Sequence, residues 1–172
     1  MIVAAPTYIR WEYLEADGQM SQNRQIPAKE WKDGAPAADT QVMKARVKTA
    51  RLRPTRQRVA LASLLFARGH RHVSAEQLHA EAQHAGVPVS LATVYNTLRQ
   101  FTGAGMLRVV AIEGNRSYFD TNISDHHHFY IENENRVIDV PGNDVQISNL
   151  PEPPEGMEIA NVDIVIRLRR KG

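Results

Sequence analysis

The 172-residue sequence predicts an α+β protein, with an N-terminal winged helix-turn-helix followed by a small α/β dimerisation domain. Three observations carry that reading. Residues 88–101, PVSLATVYNTLRQF, place apolar side chains at helical spacing and follow another short helical segment across a tight GVPV turn. Past Gly103 and Gly105 the period changes, and LRVVAI and SYFD read as two strands of a hairpin. Residues 122–172 then hold short extended runs and a Pro-rich connection, too little to close a core alone.

Residues 1–42 contain Trp11, Gly18, Trp31, Gly34 and three prolines without lasting periodicity, so a mobile N-terminal arm is expected there, and Met20 is an alternative start. Residues 43–121 follow the pattern of a winged-helix domain. A helix over 43–51 gives way at Pro54; Thr55 can cap the next, in which Leu61, Leu64 and Leu65 fall at i, i+3 and i+4, and Gly69 ends it. Ser74-Ala-Glu-Gln77 is a capping box, so a third helix runs over 75–85 until Gly86 and Pro88 stop it. In the fourth helix Ser90 is the N-cap, and Leu91, Val94, Leu98 and Phe101 form the apolar stripe. The opposite face carries Ala92, Tyr95, Asn96 and Arg99 with Thr93 beside them. These small, aromatic, amide and cationic groups suit the base edges and phosphates of double-stranded DNA. In a helix-turn-helix the second helix enters the major groove while the first braces it, and the hairpin around Glu113-Gly114-Asn115-Arg116 is then the wing.

In residues 122–172, HHHFYI and RVIDV are strands, and Pro141, Pro151, Pro153 and Pro154 mark a long connection. A long terminal strand is expected where Val162, Ile164, Ile166 and Leu168 alternate with Asp163, Arg167 and Arg169, with Val165 out of phase. Two or three strands and a short helix bury little by themselves. A homodimer is the natural solution, and its two-fold symmetry suits a palindromic site.

Net charge is only +2, but residues 44–58, KARVKTARLRPTRQR, hold seven cations and no acid. Arg53 and Arg58 lie in this run, the local excess that a phosphate backbone needs. Without cysteine, disulfides and thiolate metal sites are excluded. No window is long and apolar enough to span a bilayer, and MIVAAP is too short for a signal-peptide core, so a cytoplasmic protein with no membrane partner is expected.

Asp125-His126-His127-His128 is the densest cluster of metal-ligating side chains. Strand alternation sends His126 and His128 to one face, Asp125 and His127 to the other. Asp120 ends the preceding strand, Asp139 lies on the following one, and His72 stands just ahead of the third helix. Imidazoles and carboxylates without thiolate suit Mn²⁺, Fe²⁺ or Zn²⁺. A metallohydrolase centre is the alternative from another class. No nucleophile, general base or Gly-rich phosphate cradle stands near the cluster in sequence, so an enzyme is not expected. His70, His79 and His84 lack such partners and are assigned to the surface.

In their order and spacing, LRPTRQR, HVSAEQL, PVSLATVYNTLRQF, GNRSYFD and HHHFYIEN…VIDV resemble the ferric uptake regulator superfamily, most closely its iron response regulator branch, from about Lys44 to the C-terminus. The resemblance implies a homodimeric winged-helix regulator of iron uptake and haem synthesis genes, acting on an A/T-rich palindrome. It implies an inter-domain metal site on His72, Asp120, His126, His128 and Asp139, base contacts from Tyr95 and Asn96, and a minor-groove contact from Arg53. The branch implies haem binding by His126, His127 and His128, where imidazole is a fitting axial ligand. A metal-only sensor for manganese or zinc is the alternative. Ile131 and Glu134 stand where zinc-bearing members have a CxxC pair, so no structural zinc on a cysteine tetrad is expected. Gly34-Ala35-Pro36 replaces a Gly-Cys-Pro haem motif, and a second metal site on Asp125 and His127 lacks a histidine near Val162.

Overall fold

Short local signals set most of the element boundaries. The computed structural model describes residues 13–14, 20–21, 40–67, 69–112 and 117–171. Near the N-terminus, β1 (Tyr13–Leu14) pairs antiparallel with β2 (Met20–Ser21), within a unit of residues 1–33. Two-residue strands are too short to leave a periodic trace in sequence. Trp11, Trp31 and Gly34-Ala35-Pro36, all in the expected arm, lie outside the described residues.

Residues 34–172 form the second unit. Its α1 (Thr40–Thr49) begins slightly before the expected residue 43, and Pro54 separates it from α2 (Arg56–Phe66), where the Thr55 side chain accepts the N–H of Arg58. The β3 strand (His72–Val73) leads into α3 (Ala75–His84), which opens on the reciprocal capping box. Ser74 Oγ accepts the Gln77 N–H at 3.2 Å, and Gln77 Oε1 accepts the Ser74 N–H at 2.9 Å. Gly86 at φ +67° ends the helix, with the Val87 N–H returned to the Ala82 carbonyl. Ser90 then caps α4 (Leu91–Gly103).

The four helices close on a core in which Leu61, Leu65, Leu78, Val94, Leu98 and Phe101 are fully buried. The α4 stripe differs from expectation at one end, since Leu91 is 36% exposed whereas Thr97 is buried. Thr97 falls i+3 from Val94 and i−4 from Phe101, so it shares their arc, while Leu91 sits in the first turn, beyond the packing.

Strands β4 (Arg108–Ala111) and β5 (Ser117–Asp120) form the expected hairpin, whose turn residues 113–116 lie outside the described residues. β3 adds to it, giving an antiparallel sheet of order β3-β5-β4. The C-terminal sheet is built on the hairpin of β6 (His126–Ile131) and β7 (Arg136–Pro141), with Asn135 at φ +48° in its turn, and β8 (Val165–Leu168) runs parallel to β6 on the other side. β8 is shorter than the alternation suggested. The helix expected in this region is a single 3-10 turn, Gly142–Asp144, and residues 145–164 are neither helix nor strand.

A second core joins the two sheets. Val110, Ile112 and Tyr118 from the wing pack with Tyr130 and Val137 from the C-terminal sheet, and the Tyr118 hydroxyl donates to the Asn135 carbonyl at 2.7 Å. Among the described residues no helix is long and apolar enough to cross a membrane.

Candidate metal centre and nucleic-acid interface

Strand register assembles the histidine cluster. The β3–β5 register sets His72 opposite Asp120, and the β6–β7 register sets His128 opposite Asp139. Directly opposed residues share a sheet face. His126 joins them by alternation, because His126, His128 and Tyr130 are buried along β6 while His127, Phe129 and Ile131 are half-buried. With the wing packed on β6 and β7, donor atoms of His72, Asp120, His126, His128 and Asp139 all come within 4.8 Å of one another.

Asp120 Oδ2 is the hub, at 2.8 Å from His126 Nε2, 3.4 Å from His128 Nε2 and 3.5 Å from His72 Nε2. Asp139 Oδ1 lies 2.9 Å from His72 Nε2 and 3.7 Å from His126 Nε2. Around the cluster, three residues that the sequence reading missed aim these atoms. The Asn122 N–H donates to Asp120 Oδ1 at 2.8 Å and its Nδ2 to Asp139 Oδ2 at 3.0 Å, so one asparagine holds both carboxylates by their outer oxygens. The Ser124 carbonyl accepts from His126 Nδ1 at 2.8 Å; a carbonyl cannot donate, so Nδ1 carries the proton and Nε2 faces the cluster. Arg108 of β4 donates to the same carbonyl and reaches Asp163 Oδ1 just ahead of β8. The spacing Asp120-x-Asn122-x-Ser124 was a usable signal, since short polar side chains two apart close successive Asx turns, and the Ser124 N–H does donate to Asn122 Oδ1.

Burial disfavours charge on every member, and the neighbours decide the outcome. For His72, burial works to lower the pKa, but Asp120 and Asp139 outweigh it and raise it to about 9. His126 is also raised: burial opposes, while Asp120, Asp139 and the Ser124 carbonyl favour its cation. Burial lowers His128, helped by the positive charge of His72 and His126. Burial pushes Asp120 and Asp139 toward the neutral acid, yet the histidines hold both below the ordinary carboxylate range. Two carboxylates therefore face positive charge supplied by protons on His72 and His126, beside a neutral His128. A divalent cation would supply the same charge with all three imidazoles neutral. His72 adds a sign of fit: both its ring nitrogens are buried without a hydrogen bond, although Asp139 Oδ1 lies 2.9 Å from Nε2. The N and O donors, their net charge and this unsatisfied ring suit a divalent first-row ion.

The histidine run is thus not one site. His127 lies on the opposite face of β6, half-buried, with Nδ1 buried and lacking a hydrogen bond; Asp125 is exposed. His70 and His84 are at the surface as expected, but His79 is half-buried and contacts the Val89 carbonyl at 3.2 Å, bracing the turn between α3 and α4.

On α4, Ala92, Tyr95, Asn96 and Arg99 are exposed opposite the core stripe. Thr93 is half-buried and shares a 2.9 Å hydrogen bond with Ser90 Oγ, so its hydroxyl completes the cap. Arg53 is exposed between α1 and α2. Arg58 is employed internally, because its guanidinium donates to Gln100 Oε1 at 2.9 Å and to the Arg53 carbonyl at 2.8 Å, tying α2 to α4.

A helix-turn-helix with a wing packed on a second sheet, and an imidazole–carboxylate cluster at that seam, define a winged-helix protein with a candidate metal centre. Residues 49–167 match the ferric uptake regulator family, and the chain belongs to that family. It is accordingly a metal-responsive transcription regulator and not an enzyme. The ferric uptake regulation protein of Pseudomonas aeruginosa is 30% identical over 127 residues, which span 73% of this chain and 95% of that one. The solved structure of the Pseudomonas aeruginosa ferric uptake regulator with manganese is 26% identical, with a TM-score of 0.58 over 76% of this chain and 99% of that chain. The Vibrio cholerae ferric uptake regulator, 23% identical, shares the fold at a TM-score of 0.58 over 74% of this chain and 98% of its own.

Proposed function

We propose that this chain binds double-stranded DNA as a homodimer through α4, and that a divalent metal ion held by His72, Asp120, His126, His128 and Asp139 sets its affinity. The observation that carries this is the origin of the donors: His72 and Asp120 stand on the wing sheet, and His126, His128 and Asp139 on the C-terminal sheet. Bound there, an ion supplies the positive charge that lets five buried donors converge with their imidazoles unprotonated. His72 lies two residues before the Ser74 cap of α3, so drawing His72 toward β6 turns the helix-turn-helix as a body. In a dimer the two α4 helices must meet successive half-sites, which makes that orientation a determinant of affinity. Tyr95 and Asn96 face the bases, Asn96 with the two-point geometry that fits adenine, while Arg53 and Arg99 meet the backbone or minor groove. Exposed Ile147, Leu150, Met157 and Ile159 on the irregular segment before β8 support a dimer face there. By the resemblance, the site is an A/T-rich palindrome and the targets are genes of iron uptake and haem synthesis.

Manganese, ferrous iron and zinc all suit these donors, and the Pseudomonas aeruginosa relative was solved with manganese. Haem fits the same face poorly, because His126 and His128 are 5% and 2% exposed and a porphyrin would have to dismantle the cluster to reach them. A haem site is left with His127, which is half-buried on the opposite face of β6. The test is DNA retention by fluorescence anisotropy for chelated protein titrated with Mn²⁺, beside His72→Ala and a haem Soret titration of wild type and His127→Ala. Wild type should change DNA affinity by tenfold or more (about 1.4 kcal/mol) and His72→Ala should not. Stoichiometric Mn²⁺ binding with unchanged DNA affinity would refute the proposal, and a Soret shift that removes DNA binding would favour haem.

A further inference from the structure

The DNA-facing side of α4 has an acidic neighbour. Glu76, in the first turn of α3, accepts the Tyr95 hydroxyl at 2.5 Å. The charge is stabilised by the helix N-terminus, but next to a DNA-facing helix it opposes phosphate, so it weakens general affinity for DNA. What it provides is a fixed proton. A carboxylate only accepts, and a phenol has one proton, so the Tyr95 O–H is committed to Glu76. A phenol is protonated at neutral pH in any case, and that hydrogen bond pushes Tyr95 further up from its ordinary value. The outward side of the phenol oxygen is left able only to accept. In the major groove the donors are the exocyclic amino groups of adenine and cytosine; guanine and thymine present acceptors at the corresponding edge.

We propose that Glu76 is a specificity-determining residue, which orients Tyr95 and polarises its hydroxyl so that this position selects a base bearing an exocyclic amino group. This rests on the reading of α4 as the DNA-facing helix. Glu76 acts through Tyr95 and is a positioning residue.

The experiment uses full-length, Mn²⁺-loaded protein. Selection from a randomised duplex library gives the preferred sequence, and anisotropy on that duplex, its single-base variants and a random duplex gives the discrimination at each position. Tyr95→Phe and Glu76→Ala should lose about tenfold discrimination at the same adenine or cytosine. In the Tyr95→Phe background, Glu76→Ala should cause no further loss there. Glu76→Gln keeps an acceptor for the hydroxyl without the charge, so it should retain the preference while binding random duplex several-fold more tightly. Thermal unfolding should be near that of wild type for all three, since both side chains are exposed. Unchanged preference in Glu76→Ala, or an equal loss with and without the Tyr95 hydroxyl, would overturn the inference alone. Wild-type binding by Tyr95→Ala would overturn it together with the reading of α4.

Discussion

Raising the pH should tighten metal binding and loosen the metal-free fold, both through His72 and His126. In the metal-free chain His72 is raised to about 9 and is protonated at neutral pH, and His126 is raised above its ordinary value, where burial opposes but Asp120, Asp139 and the Ser124 carbonyl outweigh it. His128 is lowered and adds no proton. Ligation requires unprotonated nitrogens, so each ion should release roughly one to two protons near pH 7. One released proton makes the apparent affinity about tenfold stronger per pH unit, so about 100-fold is expected between about pH 6 and pH 8, and more if His126 contributes fully. The stability effect has the opposite sign. His72 is raised in the folded state, so its contribution is complete below about 6.5 and is lost as pH rises through about 9. The chelated protein should therefore show a falling Tm across that window, while the gap between loaded and chelated protein widens. Calorimetric Mn²⁺ titration in buffers of different ionisation enthalpy counts the protons, and His72→Ala should remove about one. Flat affinity from about pH 6 to pH 8 with no proton release would refute the charge balance argued for the cluster.

Asn122→Ala removes no ligand and keeps the backbone N–H on Asp120, but it takes the Nδ2 donor from Asp139, so chelator competition should show roughly tenfold weaker Mn²⁺ binding. Arg108→Gln gives up Asp163 and weakens the hold on Ser124. It should leave Mn²⁺ stoichiometry intact while shrinking the metal-dependent change in DNA affinity several-fold, read by anisotropy. Leu98→Ala, at a fully buried position, should lower stability by about 2–5 kcal/mol in denaturant titration. Arg53→Ala should weaken selected and random duplexes alike and reduce the salt slope by about one.

Features decided within a few residues were legible in the sequence. Thr55, Ser74 and Ser90 cap the helices they were assigned to, because a cap depends only on its own turn. Alternation on β6 correctly separated His127 from His126 and His128. Long-range pairing was less legible. β3 is two residues long and has no period of its own, yet its register is what sets His72 against Asp120. Arg58 looked like its cationic neighbours, and only the fold brings Gln100 to its guanidinium. β8 pairs with β6 only from His128 to Ile131: past Leu168 β6 has no residue left to match, whereas its start at Val165 follows from nothing in its own alternation.

The seam between the sheets carries two kinds of interaction, and their difference decides how metal loss acts. Val110, Ile112, Tyr118, Tyr130 and Val137 form an apolar contact that needs no charge from the cluster, and side chains of this kind stabilise on the order of 10 kcal/mol in all, as an upper estimate. The cluster depends on charge balance, supplied by an ion or by protons on His72 and His126. A three-stranded sheet with one short parallel edge and no cysteine would be marginal by itself, so the apolar seam is what keeps it folded against the wing. Removing metal should then leave the wing attached and change only its angle, because the apolar contacts between the sheets do not depend on the charge balance of the cluster. Solvent-perturbation difference spectra of the chelated protein should accordingly show Tyr118 and Tyr130 still protected from solvent. Exposure of both tyrosines on chelation would mean that the ion holds the seam together instead of setting its angle.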